Sequence, residues 1–84
     1  MSQLVQKALE REARLLNVKA RILRRRIKEF EEHYGMSSAI FHEKFESGEL
    51  GDEEDFFMWW SLLEALRAVE KRLKGIEKEL QKLH

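Results

Sequence analysis

The chain has 84 residues, with 16 basic and 16 acidic side chains, no cysteine and no proline. This length allows one small domain over residues 1–84, and the absence of cysteine excludes disulfides and thiolate metal sites. No apolar run approaches the roughly 20 residues that a membrane-spanning helix needs, and no signal peptide is recognisable, so a cytoplasmic protein without membrane contact is expected. The abundance of Lys, Arg and Glu favours a thermophilic source.

The first long helix is predicted over residues 2–33. Ser2 is a suitable N-cap, and Gly35 is suited to end the helix in a left-handed conformation. Apolar residues recur at intervals of four and three, which is typical of a helix that buries one narrow seam. The seam residues of this helix are Leu9, Ala13, Leu16, Ala20, Leu23, Ile27, Phe30 and Tyr34.

A short helix is predicted over residues 38–47, with Ser37 or Ser38 as its N-cap and Gly48 as its end. The surrounding region, residues 34–58, carries one basic against seven acidic residues, so it forms an acidic tip. The flanking segments are mildly basic, with nine basic against five acidic residues before the tip and six against four after it.

The last helix is predicted over residues 53–82, with Asp52 as its N-cap and Asp55 at its third position. Its apolar residues keep an unbroken heptad spacing, which is the pattern of a helix packed along one face. The heptad consists of Trp59, Leu62, Leu66, Val69, Leu73, Ile76, Leu80 and Leu83. Beside it lies a strip of small residues, Ser61, Ala65, Ala68 and Gly75, which would let a second helix approach closely.

Two long helices joined through a short one predict an all-α fold, an antiparallel helical hairpin. Two narrow-seamed helices rarely close a core by themselves. We therefore expect two copies of the chain to dimerise into a four-helix bundle.

All eight aromatic residues fall between Phe30 and Trp60, which places them at the closed end of the hairpin. Two interpretations remain open there: a small aromatic core that locks the turn, or a patch that binds a partner. The five consecutive large residues 56–60 encircle the helix, so they cannot all face one core. Phe57 and Trp60 are the candidates for contact with another chain.

A second set of apolar residues on the first helix projects well away from its seam. A helix that packs on one neighbour needs one apolar face, so a second face indicates a second neighbour. The members of this apolar stripe are Leu4, Ala8, Leu15, Val18 and Ile22. The predicted partner-binding residues are Leu4, Leu15, Val18, Ile22, Phe57 and Trp60.

Basic residues form another stripe on the first helix, opposite its seam. Phosphate contacts with nucleic acid are one interpretation, with Arg14, Arg21, Arg25 and Lys28 as the candidate contact residues. Glu10, Glu29 and Glu32 dilute this charge, so a solvated helix face is favoured over nucleic-acid binding.

The sequence brings no nucleophile, base and orienting residue together, so we assign no catalytic residue and predict that the protein is not an enzyme. The outline resembles small helical chorismate mutases, but the acidic middle segment lacks their Lys and Arg-Glu motif. His42 and Glu46 have a spacing that allows one helical face to hold a metal, but His33 and His84 lie far away. We assign no metal site and no cofactor.

Three segments between residues 30 and 60 form a distinctive pattern. They are Phe30-Glu-Glu-His-Tyr-Gly-Met-Ser-Ser, Phe41-His-Glu-Lys-Phe-Glu-Ser-Gly-Glu-Leu-Gly-Asp and Asp55-Phe-Phe-Met-Trp-Trp. The pattern resembles that of small helical prokaryotic proteins, many of them archaeal, that are described as antitoxin-like. The flanking helices agree with that group only in character. The resemblance implies a protein that binds and neutralises a toxin, typically a small ribonuclease-like protein.

These observations predict a non-catalytic, antitoxin-like protein–protein interaction module that binds and neutralises a protein toxin. Two alternatives remain open. One is a purely structural homo-oligomeric helical bundle, and the other is a weak nucleic-acid binder without sequence preference that uses the basic face of the first helix.

Overall fold

The computed structural model describes residues 2–83, without the side chain of Ser2. It contains three helices, α1 (Ser2–Tyr34), α2 (Ser38–Glu46) and α3 (Glu54–Lys82). The described part of the chain has no strand, so the predicted all-α fold with a long, a short and a long helix is confirmed. The capping role predicted for Ser2 and any role of His84 lie outside the described residues.

The two long helices pack against each other in opposite directions, and the molecule measures 53 × 21 × 17 Å. Their predicted seams face each other and form the core of the hairpin. The buried members of this core are Leu9, Ala20, Leu23, Ile27, Leu62, Val69 and Ile76. Other seam residues, including Leu16, Leu66 and Leu73, are half-buried along its margins. Because each helix contributes one narrow seam, the core is a single line of side chains between two helices.

Glycine ends both α1 and α2, as predicted. Gly35 and Gly48 have φ angles of +59° and +79°, a left-handed conformation that favours glycine. Beyond the first of them, the backbone N–H of Met36 donates to the carbonyl of Glu31 at 3.1 Å, which is the bond of a Schellman closure. α1 therefore ends one residue later than the sequence pattern indicated, and α2 ends one residue earlier.

The two serines before α2 have separate roles. Ser37 is the N-cap, because its Oγ accepts a hydrogen bond from the backbone N–H of Ile40 at 3.2 Å. The Oγ of Ser38 instead accepts a hydrogen bond from Nε1 of Trp59 at 3.0 Å. One serine therefore starts α2, and the other attaches it to α3.

The start of α3 corrects one prediction. Asp52 is not the N-cap, because Glu53 occupies that position in an extended conformation and the helix begins at Glu54. A capping side chain must reach the free N–H groups from the N-cap position itself, and Asp52 lies one residue too early. The carbonyl of Glu53 accepts from the N–H of Phe56 at 3.0 Å. Asp55 is consequently the second helical residue rather than the third.

The seam predicts how unfolding should respond to truncation. Leu62→Ala is expected to lower the free energy of unfolding by ~2–5 kcal/mol, because it removes buried methyl groups and leaves a cavity. Leu66→Ala and Leu73→Ala, at half-buried seam positions, should fall at the lower end of that range. Arg25→Ala, on the exposed side of α1, should change it by no more than about 0.5 kcal/mol. Urea unfolding followed by circular dichroism measures the free energy of unfolding of all four variants. If all four lost the same stability, α1 and α3 would not meet along this seam.

Gly75 predicts a stabilising substitution. It lies in regular helix, and a Cβ added there would meet only the Nη1 of Arg72, at 4.0 Å. Because glycine inside a helix is less favourable than alanine, Gly75→Ala should raise the free energy of unfolding by about 1 kcal/mol. The matched variant Gly35→Ala should instead destabilise the chain, since its left-handed backbone strains any residue with a Cβ. Thermal unfolding that shows both substitutions to be destabilising would contradict this account of α3.

Candidate protein-interaction surface

The closed end of the hairpin is an aromatic core. Phe41 of α2 stacks on Trp59 of α3 with ring centroids 3.9 Å apart and 4° between the ring planes. Both side chains are fully buried. Phe30 of α1 also stacks on Trp59, at 5.8 Å, so all three helices meet at this indole. Of the two interpretations of the aromatic cluster, the structure favours the core that locks the turn.

Some of the large residues at positions 56–60 stay at the surface. Phe57 is 52% exposed and Met58 is 48% exposed. Trp60 is half-buried against Phe45, with ring centroids 6.1 Å apart, and its Nε1 has no hydrogen-bond partner within residues 2–83. Of the two aromatic residues predicted to bind a partner, Phe57 is therefore the more accessible.

A hydrogen bond ties the end of α1 to the start of α3. The hydroxyl of Tyr34 donates to the carboxylate of Asp55 at 2.6 Å. This bond raises the pKa of Tyr34 to about 12, because a phenolate would lose it; partial burial and the negative charges of Asp55 and Glu53 act in the same direction. The carboxylate of Glu31 similarly accepts from the backbone N–H of Ser38 at 2.9 Å. Polar bonds thus hold all three helices at the closed end.

The apolar stripe of α1 lies on the surface of the hairpin. The exposed fractions are 78% for Leu4, 62% for Leu15, 45% for Val18 and 51% for Ile22, and Ala8 is also exposed. The structure therefore places four of the six predicted partner-binding residues along one open face of one helix. That face spans about 27 Å, since residues 4 to 22 rise 1.5 Å each.

Beyond Ile22, the helical spacing places the continuation of this face in a groove near the closed end of the hairpin. The groove lies between α1 and α3, has a volume of about 410 Å³, and is lined by residues that include Glu29, His33, Met58 and Leu62. The sequence did not identify these residues as part of the surface. The groove depends on how α3 packs against α1, which the residue pattern of α1 alone does not show.

Two ion pairs cross the hairpin at its surface. The guanidinium of Arg72 donates to both carboxylate oxygens of Glu12, at 2.7 and 2.9 Å, and Arg24 donates to Glu70 at 3.0 Å. The first pair lowers the pKa of Glu12, chiefly through the hydrogen bond. Exposed pairs of this kind add little stability, so their main consequence is that these charges are neutralised within the chain.

The candidate nucleic-acid contact residues form no such pairs. Arg14, Arg21, Arg25 and Lys28 are all exposed on α1. Within residues 2–83 none of the four forms an ion pair. They lie beside the apolar stripe or in line with it and contribute positive charge, which glutamates on the same side of α1 partly offset.

The histidines do not assemble a metal centre in the described part of the chain. Nε2 of His42 lies 3.4 Å from a carboxylate oxygen of Glu46, which is a simple contact between successive helical turns. Across residues 2–83 no three histidine or acidic side chains come together as metal ligands. The same residues also contain no helix with an apolar stretch of bilayer-spanning length.

Comparisons with protein-family models, with curated proteins and with solved structures found no match to this chain. The resemblance of residues 30–60 to antitoxin-like proteins therefore stays a prediction.

The contact between Tyr34 and Asp55 predicts an unusual titration. Tyr34 is the one tyrosine of the chain, so ultraviolet absorbance reports it directly. We expect the pKa of Tyr34 to be about 12 in the folded protein, and Asp55→Asn should return it toward the usual value of 10.0. A raised pKa stabilises the folded state fully below about pH 10, and this stabilisation is lost as the pH rises through about 12.

Circular dichroism at each pH is the control for that titration, because unfolding would itself release the phenol. A titration of Tyr34 near its usual pKa while the helices remain intact would show that the hydroxyl does not bond to Asp55 in solution.

Proposed function

We propose that this protein is a non-catalytic protein–protein interaction module that binds a partner along the apolar stripe of α1. The observation that carries the proposal is the exposure of Leu4, Leu15, Val18 and Ile22 along one helical face. Single exposed apolar side chains are ordinary on soluble proteins, but several large ones along the same helical face normally mark an interaction site.

The spacing of the stripe indicates what kind of surface covers it. Its residues recur at intervals of three, four and seven, with Arg11 between Ala8 and Leu15. Another helix fills such a row by placing its side chains between them. The groove beside Met58 and His33 extends the same face toward the closed end. The partner therefore presents a helix that lies along α1.

Two identities for that helix follow from the sequence predictions. A second copy of the chain would produce the predicted homodimer, a four-helix bundle. A cytoplasmic protein toxin would agree with the antitoxin-like resemblance. The same exposed stripe supports both identities. Measurements of self-association and of binding to another protein distinguish between them.

Nucleic-acid binding is the second candidate function. The observation that favours it is the set of exposed, unpaired cations Arg14, Arg21, Arg25 and Lys28. Such binding would weaken steeply with added salt and would not read sequence. It would leave the apolar stripe unexplained, which is why protein binding is preferred.

The proposal predicts a selective loss of association. Ile22→Glu and Leu15→Glu should reduce binding to a partner or to a second copy at least tenfold, because each places a charge in the apolar contact. Helicity should be unchanged, since both side chains are exposed. Light scattering and pull-down measure association, and circular dichroism measures the fold.

Ile40→Glu is the matched control. Ile40 is 48% exposed, close to the 51% of Ile22, but it lies on α2 away from the stripe. It should leave association intact. If Ile22→Glu and Leu15→Glu also leave association intact while the helices persist, the stripe has no binding role.

A further inference from the structure

We infer that the helix that covers the apolar stripe is an acidic amphipathic helix from a different protein. This inference rests on the proposed function and names the chemistry of its partner. Three observations support it: the charges that border the stripe, the pairing of charges elsewhere on the hairpin, and the poor charge complementarity of a second copy.

One border of the stripe is basic at four successive heptad positions. We call this set of four residues the basic edge: Lys7, Arg14, Arg21 and Lys28. They recur every seven residues, so they stay on one side of the helix, and all are exposed. Arg11 and Arg25 lie in line with the stripe itself, as do Glu29 and Glu32 toward the closed end. Within residues 2–83 none of these six cations forms an ion pair.

The other border offers no free carboxylate among its charged residues. Its acidic residue is Glu12, whose carboxylate accepts hydrogen bonds from Nε and Nη2 of Arg72. Lys19 and Arg26 follow at the next two heptad positions, and both are exposed. The hairpin therefore neutralises charge where α1 faces α3, through Glu12 and through Arg24 with Glu70. Between residues 4 and 26 the outward side of α1 stays mostly positive, with Glu10 as the carboxylate among its cations.

A second copy of α1 does not complement this surface. In an antiparallel pair centred on the stripe, Arg14 would face its own copy and Lys7 would face Arg21 of the second copy. In a parallel pair, Arg14 would lie beside Lys19 and Arg21 beside Arg26, while Lys7 would meet Glu12, which Arg72 already binds. Both arrangements bring like charges together, which disfavours association.

The acidic tip of a second copy is also an unsuitable occupant. The helix that lies wholly within it, α2, has nine residues, about half the length of the stripe. The aromatic side chains of α2 are already packed inside the closed end, with Phe41 fully buried against Trp59. The exposed apolar residues of the tip, Ile40, Phe57 and Met58, are divided between α2 and α3, so they are not aligned along one helix as the stripe is.

An acidic amphipathic helix satisfies both features of the surface. Its apolar residues would cover the stripe in the helix-in-groove manner, and its carboxylates would meet Arg14 and Arg21 on the basic edge. Nucleic acid would satisfy the cations but would leave the apolar residues in water. The stripe accommodates a partner helix of about 18 residues.

Two synthetic peptides of about 20 residues test this inference with the full chain. Both carry the same Leu and Ala heptad, and their flanking positions are Glu in one and Lys in the other. Fluorescence anisotropy of the labelled peptides should show roughly tenfold or greater preference for the Glu-flanked peptide. That preference should shrink as salt screens the charges.

Charge reversal provides the second readout. The double variant Arg14→Glu with Arg21→Glu should reverse the preference in favour of the Lys-flanked peptide. The control, Lys71→Glu with Lys78→Glu, makes the same change in net charge on the exposed side of α3. It should keep the original preference, since those residues lie outside the stripe and its borders.

The outcomes separate this inference from the proposed function. If both peptides bind equally and Ile22→Glu abolishes binding, the stripe is a docking surface without acidic preference, and the inference is overturned alone. If instead the chain forms a dimer that Ile22→Glu dissociates, and the Glu-flanked peptide does not bind, the stripe binds a second copy. That result also overturns the inference. Binding of an oligonucleotide that survives Ile22→Glu, with neither peptide bound, overturns both. Failure of the Glu-flanked peptide to bind overturns the inference in every case.

Discussion

A hairpin of two helices covers one face of each helix, and this constraint governs the surface of the molecule. α3 lies along the seam of α1 around Ala20 and Leu23, so it cannot also cover Leu15 and Ile22 on a different face. The apolar residues of the second face therefore remain exposed unless another chain covers them. The interaction proposal is a consequence of this geometry.

Contacts at the closed end fix how the two long helices lie against each other. Trp59 stacks against Phe41 and Phe30 and donates to Ser38, while Tyr34 bonds to the carboxylate at the start of α3. These contacts fix the direction in which α3 returns along α1. They also use most of the aromatic surface internally, which leaves the stripe, together with Ile40, Phe57 and Met58, as the large apolar side chains open to a partner.

The sequence was sufficient for features that depend on local periodicity or backbone chemistry. The seam around Leu23 and Leu62 followed from helical spacing, and Gly35 followed from the left-handed conformation at a helix end. Features that join distant positions were missed. The bonds of Tyr34 to Asp55 and of Glu12 to Arg72 link residues 21 and 60 positions apart, so they depend on the alignment of α1 with α3. Local cap chemistry also favoured Asp52, whereas the observed helix starts later.

Methyl NMR with a soluble paramagnetic probe tests the central claim most directly. In the dilute isolated chain, the methyl groups of Leu15, Val18 and Ile22 should be strongly broadened, while those of Leu62 and Val69 are protected. In an assembly that the chain forms with a partner, the stripe methyls should become protected as well. Stripe methyls that stay equally exposed in every assembled state would contradict the account, and exposed methyls on Leu62 and Val69 would contradict the hairpin itself.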